Sequence, residues 1–336
     1  MNKPLTHCPS TLQANFPTYS PAAIRALFNG VRVSPYLDFE FEEYRLPEID
    51  TVRSRNISVS GVQEKFGAVI EDGRLRLSAR SEQSTHILKP APFDPSLPLR
   101  KQIPANEHVT MQIASQVYGI STAANGMCFT PSGKPVYVTR RFDITPTGSK
   151  IALEDAAGLI WKDKTTNITS NSKYEGCYKL IANVIRENVS SPIVDLERFF
   201  ELLLFNYIYA NGDAHLKNFS LMQAEGEVRL SPAYDLINTA LHISGDDFAL
   251  NHGLSDTIER SDTYLRTSHP CRSDFELFAA EIGLNQRRIK RLCDKFSSIP
   301  TQVLTLLNNS FLNDKMKRSY LRIITERTQR FIRRSK

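Results

Sequence analysis

Apolar residues alternate with polar ones from about residue 55, and the alternation gives way to helical spacing after about residue 150. NISVS, KFGAVIEDGRLRLS and STHILK carry the two-residue period of half-buried strands, with a turn at Asp72-Gly73 inside the second. PAPFDPSLPL holds too many prolines for a helix or a central strand and reads as a loop. NEHVTMQIASQVYG switches to helical spacing, with Val109, Ile113, Ala114 and Val117 on one stripe and Gly119 placed to end it. GMCFTPSGKPVYVTRRF returns to alternation as a hairpin turning at Ser132–Lys134. EDAAGLIW, YEGCYKLIANVIREN, VDLERFFELLLFNYIYA, FELFAAEI and NQRRIKRLCDKF then read as helices, and FSLMQAEGEVRL interrupts them with a hairpin at Glu225-Gly226. Before all this, residues 1–50 are Pro-rich and weakly periodic, with one short helix in PTYSPAAIRALFNG.

The order predicts an α+β protein of two lobes with a cleft between them. The expected division is an N-terminal extension at 1–54, a β-rich lobe at 55–142 and a mainly helical lobe at 143–336. The 336-residue length suits two lobes better than one core. No internal repeat or low-complexity segment appears.

Hydrophobic content of 41% and charged content of 23% are those of an ordinary globular chain, and no run of 18 uncharged apolar residues exists to cross a membrane. The N-terminus lacks the apolar core of a signal peptide. Five scattered cysteines without a CxxC pair read as reduced thiols, so the expected location is cytoplasmic, with no membrane partner. The net charge of +6 is not spread evenly. Residues 315–336 hold nine Lys/Arg and one Glu, leaving 33 basic against 35 acidic residues elsewhere. With Met316, Tyr320, Ile323, Ile324 and Phe331 at near-helical spacing, this tail reads as an amphipathic helix. Its basic face is either simply solvated or meets a nucleic-acid backbone or an acidic partner.

The chemistry concentrates in NGDAHLKNFSL (211–221), which follows one of the most apolar stretches of the chain. Asp213 precedes Asn218 by five positions and Asp235, in SPAYDLIN, by 22. Carboxylate and amide oxygens are hard ligands suited to Mg²⁺, which takes one or two protein oxygens together with phosphate oxygens. Phosphoryl transfer further needs an acid to orient the attacking hydroxyl and accept its proton. D-x-x-x-x-N with a later Asp therefore fits a kinase, with Asp213 as base and Asn218 and Asp235 as metal ligands. A helix end turned by Asn211-Gly212 explains the loop equally well, but not the acid inside AYDLI. Ser58, Ser60 and Gly61 in SVSGVQEKFGAVI form either a phosphate-binding loop or a hairpin with a bulge. Lys89 ends a strand and points inward by alternation with Ile87, so it needs an anionic partner, and Glu107 early in the next helix is the candidate. A surface lysine before a Pro-rich loop is the competing reading. The order of the parts, Ser/Gly loop, Lys, Glu, D-x-x-x-x-N and Asp, is that of protein kinases, although H-R-D and D-F-G strings are absent.

SVSGVQEKF, THILKP, NEHVTMQIA, RRFD, LED, YEGCYKLI, NGDAHLKNFSL and SPAYDL together resemble the HipA-like serine/threonine kinases of bacterial toxin–antitoxin systems. The resemblance covers roughly residues 55–240 and implies a two-lobed kinase-like fold that uses ATP and Mg²⁺. It implies that Asp213 is the catalytic aspartate and that Lys89 meets the ATP phosphates. It places Ser60, Gly61, Val62, Gln63, Glu64 and Lys65 in the phosphate-binding loop, and Arg140, Arg141 and Phe142 at the hinge that meets adenine. His215, Lys217 and Asn218 fall on a nucleotide-contacting stretch, and Tyr234-Asp235 on the second metal site. Ser58 falls on an autophosphorylated serine, with Ser60 as a second candidate. Phosphorylation there adds about −1.5 to −2 charge and would compete with ATP phosphates. Thr139 stands where the family's hinge carries Glu, and Gly158 where its next helix carries Gln.

Only some 55 residues precede the loop, so the chain resembles the shorter, HipT-like branch, in which a separate small HipS-like protein supplies the missing N-terminal module. A DNA-binding HipB-like antitoxin is implied as a further partner, with DNA contacted only indirectly. The implied substrate is a serine of an aminoacyl-tRNA synthetase, the glutamyl and tryptophanyl enzymes being candidates, and its modification would arrest translation and growth. The alternatives are a pseudokinase that completes a DNA-bound antitoxin complex and a small-molecule kinase of related fold. The complete Lys/Asp/Asn/Asp set argues against the first, since a degenerate kinase would have lost one of them.

Overall fold

The computed structural model describes residues 4–42, 63–145, 147–161 and 171–333. The expected strand at 56–60 lies outside them, as do Ser58, Ser60, Gly61 and Val62. The first lobe is a five-stranded antiparallel sheet, built from β1 (Phe66–Glu71), β2 (Arg74–Leu77), β3 (His86–Lys89), β4 (Asn125–Phe129) and β5 (Pro135–Arg140) in the order β2-β1-β3-β5-β4. Asp72 and Gly73 take φ of 48° and 70°, the left-handed pair that a tight hairpin turn needs.

Each face of this sheet has its own cover. Leu88, Cys128, Val136 and Val138 point to a cluster completed by Cys8, Tyr19, Leu37 and Phe41 and by α1 (Pro21–Phe28). The weakly periodic N-terminal segment is therefore a packed layer, fixed by Tyr19 Oη donating to the Met127 carbonyl (2.7 Å) and Ser10 Oγ to that of Asn125 (2.7 Å). Met127 and Tyr137 point the other way, into the core shared with α2 (Ile103–Gln116) and the helical lobe.

Helix α2 is buried on every side over Ile103–Ala114, so its apolar stripe understates its position. Asn106, Glu107, His108, Thr110 and Gln112 are enclosed as well. Polar groups at such depth need partners. Asn106 exchanges hydrogen bonds with the backbone of Asn238 (2.8 and 3.2 Å), and Thr110 bonds the Tyr320 hydroxyl (2.8 Å). These three bonds tie α2 to the second lobe.

That lobe begins with β6 (Leu153–Asp155) and α3 (Ala156–Trp161), followed by α4 (Tyr178–Asn188) and α5 (Pro192–Ile208). The hairpin β7 (Ser220–Ala224) and β8 (Glu227–Leu230) joins β6 in a small antiparallel sheet, turning at Glu225 and Gly226 with φ of 56° and 82°. Helices α6 (Asp262–Thr267), α7 (Arg272–Glu281), α8 (Gln286–Lys295), α9 (Thr301–Asn309) and α10 (Asp314–Phe331) complete it. The EDAAGLIW stretch divides between β6 and α3 where one helix was expected. Helix α10 docks through Met316, Tyr320, Ile324 and Phe331, with Arg327 buried among them. All five cysteines are free and buried. Among the described residues, no helix is long and apolar enough to cross a membrane.

Burial pushes His86, His108 and His242 down to about 4. An unfolded histidine takes its proton near pH 6.5, whereas these cannot do so until about pH 4. Their full contribution to stability is therefore present above pH 6.5 and is lost as pH falls through 6.5 to 4. Each residue accounts for on the order of 3 kcal/mol. Thermal unfolding scans across this range should show a steep fall, which His242→Gln flattens in part.

Candidate active site

Lys89 is the last residue of β3, paired in register with Tyr137 and so on the α2 face of the sheet. Its ammonium donates to Glu107 Oε1 (2.5 Å) and to Asp235 Oδ1 (2.5 Å), and it is 3% exposed. Lys65, one residue before β1, donates to the other oxygen of Asp235 (3.1 Å). Two cations and two carboxylates thus meet where the sheet, α2 and the second lobe converge. Burial opposes the Lys89 charge, but Asp235 and Glu107 outweigh it and raise its pKa. Burial likewise opposes ionisation of Asp235, yet Lys89 and Lys65 hold it well below the usual carboxylate range. Glu107, fully enclosed, is raised by burial against the pull of Lys89.

The second group sits at the end of α5. The apolar helix stops because Ala210 turns left-handed (φ 52°), with the Asn211 N–H returning to the Asn206 carbonyl (2.8 Å). Buried Asn211 donates to Asn206 Oδ1 (3.0 Å) and accepts from the Asp213 N–H (3.4 Å), which sets the direction of the loop. Gly212 N–H donates to Thr239 Oγ1 (2.9 Å), and a side chain at position 212 would press on the Asp246 carbonyl at 3.1 Å. Asp213 follows, 5% exposed, with Oδ1 accepting from the Tyr174 hydroxyl (2.8 Å). His215 stands edge-on to the Tyr174 ring (centroids 5.2 Å apart), and burial, then the charge of Lys173, lowers its pKa to about 3. It is therefore neutral at physiological pH. Asn218 Oδ1 accepts from the His215 N–H (3.2 Å), closing the loop on itself.

Tyr234 joins the two groups. Its hydroxyl donates to the Lys217 carbonyl (2.8 Å) and bonds Ser220 (2.7 Å), so the stretch carrying Asn218 is tied to the residue before Asp235. Its ring lies 5.7 Å from that of Phe142 at the end of the sheet lobe. Asp235 itself has φ 55°, a left-handed geometry that a non-glycine residue holds only when its surroundings over-determine it. The two lysines and the Tyr234 anchor supply that constraint.

The remaining residues singled out in the sequence take other partners. Gln63 donates to the Pro90 carbonyl (3.0 Å), and Glu64 accepts from the Phe93 N–H (3.2 Å). Arg141 pairs with Asp143 (2.6 Å), and Arg140 donates to the Ala26 carbonyl (3.2 Å). Both arginines line a cavity of about 780 Å³ together with Ala124, Lys150 and Met222. Sequence reasoning missed Tyr174, Asn211 and Thr239 as parts of the site. Tyr174 opens the stretch YEGCYKLIANVIREN that reads as one helix, but the helix starts at Tyr178, and Tyr174 ends a 3-10 turn aimed at Asp213.

The donor set fits a magnesium nucleotide. Asp235 and Asn218 offer hard oxygens, and among the described residues no cluster of three or more His, Cys, Asp or Glu competes as a self-sufficient metal site. Mg²⁺ characteristically borrows phosphate oxygens to complete its shell. A cleft of about 650 Å³ opens on Asp213, with Tyr174, Gly212, Asp246, Phe248 and Arg260 among its walls.

Over residues 57–303 the chain matches the family described as HipA-like C-terminal domain. It is 26% identical over 267 residues to a putative kinase, Y4mE, of Sinorhizobium fredii, which covers 74% of this chain and 57% of that protein. It is 24% identical over 200 residues to the serine/threonine-protein kinase toxin HipA of Shewanella oneidensis, covering 55% of this chain and 44% of the relative. The chain thus spans about half the length of these two relatives. Its fold is that of HipA in the Shewanella oneidensis complex of HipA, HipB and operator DNA, with a TM-score of 0.64 at 18% identity over 87% of this chain and 69% of that one.

Proposed function

The chain belongs to the HipA-like C-terminal domain family, and from that premise we propose that it is an ATP- and Mg²⁺-dependent serine/threonine protein kinase, the toxin of a toxin–antitoxin pair. The observation that carries this reading is the buried Lys89–Glu107–Asp235 cluster beside the Asp213 loop. Lys89 would meet the ATP phosphates and Asp235 would hold the metal ion, while Glu107 keeps the ammonium charged and aimed. Mg²⁺, held by Asp235 and Asn218, would neutralise charge on the phosphate oxygens. Lys65 and the Ser60–Val62 loop, the latter outside the described residues, would close over the phosphates. Phe142 and Tyr234 supply aromatic surface for adenine near the hinge, where the Arg140 and Arg141 N–H groups are already bonded to the Ala124 and Thr85 carbonyls (2.8 and 2.9 Å).

Asp213 accepts the proton of the acceptor hydroxyl as its oxygen attacks the γ-phosphorus. The bond from that phosphorus to the β–γ bridging oxygen breaks, ADP departs, and the acceptor leaves as a phosphomonoester. Neutral His215 shapes the loop without adding charge beside Asp213.

A synthetase serine as the acceptor, autophosphorylation of Ser58 or Ser60, a HipS-like module and a HipB-like antitoxin that alone touches DNA are parts of the same proposal, as is action in the cytoplasm. The complex of the structurally similar Shewanella oneidensis HipA with HipB and operator DNA supports the antitoxin partner. ATP binding measured by calorimetry with Mg²⁺ and again with EDTA tests the nucleotide site. Removal of the metal should weaken binding at least tenfold; equal affinity in both buffers would count against Asn218 and Asp235 as ligands.

A further inference from the structure

The basic C-terminal helix does not spend all its charge on solvent. Arg327 is buried against Tyr207, its guanidinium 5.3 Å from the ring centroid, and it pairs with Asp247 Oδ1. Asp247 also takes a hydrogen bond from His269 Nδ1 on its other oxygen (2.7 Å), with Arg330 3.7 Å away. Asp247 belongs to the loop at 243–251, which leaves the Asp235 segment and forms one wall of the 650 Å³ cleft beside Asp213.

This loop is tied to the reacting end of the site in two ways. The Asp246 carbonyl lies so close to Gly212 that a Cβ there would stand 3.1 Å from it and push the loop outward. Farther on, Asn251 N–H donates to the Tyr174 carbonyl (3.1 Å), Asn251 Oδ1 accepts from the Gly176 N–H (2.9 Å), and His252 N–H donates to the Gly176 carbonyl (3.0 Å). Tyr174 is the residue whose hydroxyl reaches Asp213. Between these ties, Phe248 packs among Tyr178, Tyr207 and Phe275. A chain of contacts thus runs from α10 through Asp247 to both walls of the cleft.

We propose that the cleft beside Asp213 receives the hydroxyl-bearing segment of the acceptor polypeptide, and that Arg327 and Asp247 are positioning residues that set its width from the C-terminal helix. This rests on the kinase reading. The cleft opens on the base and not on the Lys89 cluster, so its shape governs the acceptor and not ATP. A buried, charge-assisted pair is suited to the task, because truncating one partner leaves the other charge stranded and lets the loop shift.

The test measures initial rates for the full chain with a pool of synthetic peptides bearing one fixed central serine, varying peptide and ATP separately. Arg327→Met and Asp247→Asn should raise the KM for peptide about tenfold, with the KM for ATP moving less than twofold. Arg327→Lys, which keeps the charge, should restore most of the loss. A parallel rise in the KM for ATP, or no change in that for peptide, would overturn the inference. So would a wild-type chain that binds Mg·ATP and phosphorylates no peptide. Failure of the wild-type chain to bind Mg·ATP at all would instead overturn the kinase reading and the inference with it.

Discussion

Asp213→Asn should lower phosphoryl transfer by about 10³-fold, within the range that a positioned general base contributes, while leaving the fold unchanged. Asparagine keeps the size of the side chain, and its carbonyl oxygen can still accept from Tyr174, so the loop held by Asn211 and Thr239 has no reason to move. What the change removes is the capacity to take a proton. ATP binding should survive, because the substitution keeps the hydrogen bonds that hold the loop and leaves the Lys89–Asp235 and Lys65–Asp235 pairs intact. Single-turnover rates and nucleotide affinity measured on the same preparation separate the two. Retention of more than a tenth of wild-type transfer would remove Asp213 from the role of base.

Lys89→Met should be costly in a different way. It deletes the cation on which two enclosed carboxylates depend, and breaking a buried pair from one side costs about 3–5 kcal/mol because the remaining charge is stranded. Here Glu107 and Asp235 would face each other with Lys65, 44% exposed at its side chain, left as the directly bonded cation. Stability by urea denaturation should fall by that amount, and ATP-dependent transfer should be lost. Adding Glu107→Gln removes one stranded charge, so the double variant should regain much of the stability and none of the activity. If the double variant is no more stable than the single one, the coupling assigned to this cluster is wrong.

How far the sequence spoke for itself depended on whether a feature was local. The hairpin at Asp72-Gly73, the hairpin at Glu225-Gly226 and the inward direction of Lys89 follow from a two-residue period and turn chemistry, and the structure has all three. The pairing of Lys89 with Glu107 was accessible because strand and helix are only 18 residues apart. Tyr174 was not accessible, since nothing in NSKYEG announces that a turn will carry its hydroxyl to an aspartate 39 residues on. Nor was the left-handed backbone at Asp235, which neighbours from three parts of the chain impose.

Two other features escaped for a different reason. The N-terminal segment lacks periodicity because it packs as irregular chain, where Tyr19 and Ser10 spend their hydroxyls on strand carbonyls. The basic tail has a clear amphipathic stripe, yet Arg327 counts as polar in any such pattern and lies inside, stacked on Tyr207. Helix α9 (TQVLTLLNN) is short, and its apolar Val303, Leu306 and Leu307 acquire meaning only against the rest of the core. Composition patterns register what faces water on average. They do not register a charge buried with its partner.

The central claim, that this chain moves a phosphate from ATP, is tested most directly by the intact mass of the wild-type protein and of Asp213→Asn before and after incubation with Mg·ATP. A gain of whole phosphate units by the wild type alone, mapped to Ser58 or Ser60, is the predicted result. A wild-type mass that neither increases nor already carries phosphate, or an equal gain in Asp213→Asn, would contradict it.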